Sequence, residues 1–85
     1  MIMNKKYIIK NNCDNELTFV LSGEKEIDEQ LLEVFAIEKG YGFTVEHSAE
    51  QIKIVDYFHG ETRAAFEIIS IEDTSEDVCY LLLKL

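Results

Sequence analysis

The periodicities of this chain predict an α+β fold: one antiparallel sheet of about five or six strands, with one main helix packed on one face, in the order β-β-α-β-β-β-β. Three observations carry that expectation. Several short segments alternate apolar and polar residues with the period of a half-buried strand. One longer stretch repeats its apolar residues at helical spacing instead. No linker, repeat or low-complexity tract divides the chain, so residues 1–85 read as one small acidic domain.

Lys5 to Lys10 reads as a first strand, followed by the turn-rich cluster Asn11, Asn12, Cys13, Asp14 and Asn15. Glu16 to Leu21 is a second strand with Leu17, Phe19 and Leu21 on one face, and the five-residue connection fits a hairpin. The helix is expected from about Glu24 to Lys39. Ser22 and Gly23 offer a cap ahead of it, Glu24 and Glu26 suit the positive end of its dipole, and Gly40 suits its end. At about 100° per residue, Ile27, Leu31, Val34 and Phe35 form an apolar stripe facing the core. Glu38 falls on the same side, which suggests a last turn that frays or rises clear of the sheet.

Tyr41 to His47 is the next strand, with Tyr41, Phe43, Val45 and His47 on one face. Ser48, Ala49, Glu50 and Gln51 have the spacing of a helical capping box. The following Gln51 to Phe58, however, is crowded with β-branched and aromatic residues, which favours a strand preceded by a turn. His59 to Thr62 reads as another turn and Ala64 to Ile71 as a strand. Ala64 and Ala65 also admit a helix over 62–71, which would make the later order ferredoxin-like. Glu72 to Asp77 is expected as a solvated turn. Val78 to Leu83 then closes the sheet as a strand covered on both faces.

A chain of 85 residues buries roughly 60–65% of its unfolded surface, enough for one core but not for a spacious internal active site. Its hydrophobic fraction of 47% is ample for that core. Two cysteines are too few for a secreted disulfide framework. Neither a signal-peptide pattern nor an apolar run of membrane-spanning length is apparent, so a cytoplasmic location and no membrane partner are expected.

Charge is the most unusual property. Seventeen acids against eight bases give −9, and Lys5, Lys6 and Lys10 precede every acid, so residues from Asn11 onward carry 17 acids and 5 bases. Binding a phosphate backbone requires Lys and Arg to displace counterions, so no direct nucleic-acid partner is expected. The same arithmetic favours a basic partner protein, including the basic groove of a nuclease or another nucleic-acid-binding protein.

Catalytic chemistry finds little support. Cys79 lies in the most apolar segment and is expected as a buried, inert thiol, while Cys13 sits in a polar loop with no helix start nearby and reads as a loop residue. Asp56, His59 and Glu61 are close in sequence but lack established metal-ligand spacing, so no metal or cofactor is expected. Gly40 and Gly42 lead into a strand rather than a helix and form no phosphate loop.

The candidate partner-binding residues are therefore acidic. Glu26, Glu29 and Glu33 fall within about 60° of one another, opposite the apolar stripe. Glu72, Asp73, Glu76 and Asp77 form a second cluster. Ile37 and Tyr41, with exposed members of Tyr57 and Phe58, could supply an apolar centre with an acidic rim. The leading expectation is a non-enzymatic inhibitor or immunity-type protein that covers a basic surface. The alternative is a structural or adaptor subunit, a homodimer joined through an open sheet edge or through its apolar C-terminal strand.

Overall fold

Residues 2–35 and 42–80 are described by the computed structural model. They form β1 (Asn4–Lys10), β2 (Glu16–Leu21), α1 (Ile27–Val34), β3 (Phe43–His47), β4 (Gln51–Asp56) and β5 (Glu61–Thr74). The order in the sheet is β2-β1-β5-β4-β3, every neighbouring pair being antiparallel. This is the expected α+β arrangement, a five-stranded sheet with one helix packed against it.

Alternation dictates which residues meet. Tyr7 and Ile9 of β1 stand opposite Phe19 and Leu17 of β2, and Ile52 and Ile54 of β4 stand opposite Phe66 and Ala64 of β5. The helix lays Leu31 and Val34 onto this face, followed by Phe35; all three are buried, and Ile27 packs at their edge. Phe35 stacks on Phe66 with ring centroids 5.0 Å apart, joining the helix to the central strand. Burying such side chains contributes roughly 1.5–3 kcal/mol each, so the apolar stripe fixes where the helix sits.

Several expectations are corrected. The helix begins at Ile27, with Glu26 as its N-cap, rather than near Glu24. Neither Ser22 nor Gly23 caps it; the loop before it is held by Gln30, whose amide accepts from Ser22 N–H at 2.7 Å and donates to Ser22 C=O at 2.9 Å. Gly23 passes so close to the N-terminal segment that a Cβ there would lie 1.9 Å from the Met3 carbonyl oxygen. The expected helical extension to Lys39, its Gly40 end and the placement of Glu38 lie outside the described residues.

Residues 62–71 are strand, which removes the ferredoxin-like alternative. β5 continues through Glu72, Asp73 and Thr74, so the first half of the expected 72–77 turn is strand instead. Cross-strand pairing explains the extension, because Lys5 and Lys6 stand opposite Asp73 and Glu72. Ser48 does offer its hydroxyl to the N–H groups of Glu50 and Gln51, but it closes a turn before a strand, as the β-branched residues imply. The expected C-terminal strand is seen only as one antiparallel bridge between Cys79 and Val20, and residues 81–85 lie outside the described part. Cys79 is exposed rather than buried, because this bridge sits at the outer edge of β2.

Candidate partner-binding surface

α1 presents the acidic face expected of it. Its buried stripe leaves Glu26, Glu29 and Glu33 exposed, and with Glu24 and Asp28 they make five acids in ten residues against Lys25 alone. Such a row repels itself, at about 0.2–0.5 kcal/mol per adjacent like-charged pair. Location reduces the cost. Asp28 and Glu29 occupy the first helical turn and Glu26 precedes it, where unpaired backbone N–H groups favour negative charge.

Glu26, Glu29 and Glu33 line one wall of an open groove of about 460 Å³, with Lys25 and Gln30 beside them and Val78 and Tyr80 opposite. The chain leaving β5 forms the opposite wall because the Val20–Cys79 bridge holds it along β2. Tyr80 donates its hydroxyl to Glu33 Oε2 at 2.6 Å. That hydrogen bond, then burial and the charge of Glu33, raise the Tyr80 pKa above the ordinary tyrosine value. Val78, nearly half exposed, adds an apolar patch to the groove. Among the described residues, Glu26 and Glu33 form no ion pair.

The second acidic cluster is built differently. Asp73 pairs with Lys5, and Glu76 with Lys6 at 3.0 Å. Lys6 and the Thr74 hydroxyl hold the Glu76 carboxyl below its ordinary range. Glu72 stands opposite Lys6 across the sheet, and Asp77 is exposed in the following segment. Lys10 reaches Asp14 and Glu67, both at 3.6 Å. The three N-terminal lysines thus pair with acids on and beside β5 and with Asp14, whereas the described helix segment, residues 24–33, carries five acids and one base.

The other candidate residues do not join one site. Ile37 and Tyr41 lie outside the described residues. Tyr57 and Phe58 are 72% and 76% exposed at the β4–β5 turn, edge to face with ring centroids 5.9 Å apart. Asp56 shapes that turn: its carboxylate accepts from the backbone N–H groups of Phe58 and His59 and contacts His59 Nδ1 at 3.0 Å. The His59 hydrogen bond depresses the Asp56 pKa. Among the described residues, no three His, Cys, Asp or Glu side chains cluster as a metal site would require. No described helix is long and apolar enough to cross a membrane.

Sequence reasoning missed Gln30, Val78 and Tyr80 as parts of the groove. Gln30 lies between the apolar stripe and the acidic row, and neither periodicity assigns it a role. Tyr80 was masked by its place in an apolar run. Comparison with protein-family models, with curated proteins and with solved structures finds no match for this chain.

Proposed function

We propose that this chain is a non-enzymatic protein-binding module, a small acidic inhibitor or immunity-type protein whose helix face and adjoining groove cover a basic surface of a partner protein. A surface that normally holds nucleic acid has the required character, since its Lys and Arg side chains already bind a row of phosphates. The observation that carries this reading is the separation of charge. Lysines answer the acids along β1 and β5, whereas residues 24–33 carry five exposed acids and one base, Lys25. Val78 and the Tyr80 ring provide apolar contact beside the carboxylates, matching an interface with a desolvated centre and polar rim.

The test is affinity capture with the immobilised full chain, beside a variant carrying Glu26→Gln, Glu29→Gln and Glu33→Gln. The expected result is a basic protein retained at low salt, released as salt rises, displaced by competing nucleic acid and absent from the variant column. Equal retention by the variant, or retention indifferent to salt, would remove this reading.

A further inference from the structure

The two edges of the sheet are unlike. β2 is bridged at Val20 by Cys79, whereas β3 is last in the strand order on the other side. Backbone hydrogen bonds give the direction of each β3 peptide group. Ser48 N–H donates to Gln51 C=O and Tyr57 N–H donates to Gly42 C=O, both in line with the β3–β4 register. Hydrogen-bonded pairs alternate along an antiparallel ladder. Thr44 with Val55 and Glu46 with Lys53 are therefore the bonded pairs, and the N–H and C=O groups of Phe43, Val45 and His47 point away from the sheet. Among the described residues no backbone partner from outside the sheet meets these groups. Such a row is a template for another strand.

We infer that the occupant of this edge is a second copy of the chain, its β3 running antiparallel to the first about a two-fold axis at Val45. The sequence Phe43-Thr44-Val45-Glu46-His47 complements itself in that register. Val45 meets Val45 and Phe43 meets His47, all positions whose backbone groups point outward, while Thr44 meets Glu46. An axis at Glu46 would set that carboxylate against itself, and an axis at Thr44 would carry Glu46 and His47 past the end of the facing β3. Only the Val45 axis uses the whole strand without opposing like charges. Glu46 is also balanced within its own chain by Lys53 directly across β4.

The exposed aromatic pair lies at one end of the same edge. Phe58 rests on Gly42, where an added Cβ would come within 2.5 Å of the ring. In the Val45 register, this end adjoins the Ser48–Glu50 turn of the other copy, which gives the Tyr57 and Phe58 rings a surface to cover. Each chain carries −9, so screening by salt strengthens this association. That sign is opposite to the one expected for binding a basic partner, and the two interactions are separable by it.

Sedimentation equilibrium of the full chain over a range of concentration and salt tests the pairing, with Thr44→Glu and Thr44→Lys as paired variants. Thr44 is exposed, so both substitutions keep the monomer fold, which circular dichroism checks. Glu at 44 faces Glu46 of the other copy twice in the dimer and weakens it roughly two- to thirtyfold, whereas Lys at 44 tightens it by a similar factor. Amide exchange adds a second reading: protection of Phe43, Val45 and His47 rises with concentration, while Thr44 and Glu46 are protected throughout. A monomer at every concentration and salt would overturn the inference, as would a dimer that responds alike to both Thr44 variants.

Discussion

The two acidic regions use the same side chains to opposite ends. At the end of β5, Glu72, Asp73 and Glu76 stand within reach of Lys5 and Lys6, and the pairing extends the strand by three polar residues. On α1, Glu26, Glu29 and Glu33 stand above an apolar stripe, along a groove whose far wall is Val78 and Tyr80. One region spends its charge on holding two strands in register. The other holds charge outward on a helix whose position is fixed by buried neighbours. Net charge alone therefore says little about where a partner docks; what distinguishes the regions is whether lysines lie across the ladder.

The largest break in that comparison comes from the buried side of α1. Leu31 is fully buried, and Leu31→Ala is expected to cost about 2–5 kcal/mol of unfolding free energy in a urea titration. The acidic face would then lose its platform, while the lysine-paired end of β5 retains its local pairing in any folded remainder. Gln30→Ala is the next largest. It leaves Ser22 N–H without its buried acceptor and is expected to cost about 1–3 kcal/mol. A Gln30→Ala protein as stable as wild type would show that the loop before the helix is held by something else.

Neutralising the acids sharpens the contrast, because the size of the stability loss should differ between regions. Glu29→Gln with Glu33→Gln relieves a like-charged pair four residues apart, which offsets the lost first-turn charge of Glu29 and the weakened Tyr80 hydrogen bond, and is expected to leave stability within about 0.5 kcal/mol of wild type. Asp73→Asn removes an exposed ion pair with Lys5 and is expected to lower stability by about 0.2–1 kcal/mol. Glu76 adds a pH signature. Its folded pKa is depressed by Lys6 and Thr74, so its contribution is present above the unfolded carboxyl pKa and is lost as pH falls through the folded value. Chemical denaturation between neutral and acidic pH, with and without Glu76→Gln, reads it. A larger loss on the helix than at the end of β5 would undo the distinction.

Much of this was legible in the residues. Alternation located β1 and β2 nearly to the residue, and the spacing of Leu31, Val34 and Phe35 identified the buried helix face. β-branched residues outweighed the capping-box pattern at Ser48, since the hydroxyl bonds that define a cap also close a turn. What stayed hidden depends on partners distant in sequence. The polar end of β5 is strand because β1 supplies lysines opposite it, some 68 residues away along the chain. Cys79 is exposed because it meets the sheet through one bridge to Val20 at the β2 edge rather than through the centre. The groove, likewise, exists only because the chain after β5 returns beside β2 and carries Tyr80 to Glu33.

That return is also the source of the smallest expected effect, and of a direct check on the groove. The Tyr80 hydroxyl donates to a carboxylate, and ionising it would set phenolate against Glu33, so its folded pKa is raised. A raised folded pKa contributes stability that is complete below the unfolded tyrosine value and is lost as pH rises through the folded one. The contact is at the surface, so Tyr80→Phe is expected to change stability by less than about 0.5 kcal/mol. The ring-carbon NMR titration is the sensitive measurement: Tyr80 should ionise above the ordinary tyrosine value, and Glu33→Gln should bring it back toward that value. Tyr7 provides an internal control, because its pKa is raised chiefly by burial and should respond little to Glu33. If Tyr80 titrates at the ordinary tyrosine value regardless of Glu33, the chain after β5 does not close against the helix, and the acidic face lies on an open surface without its second wall.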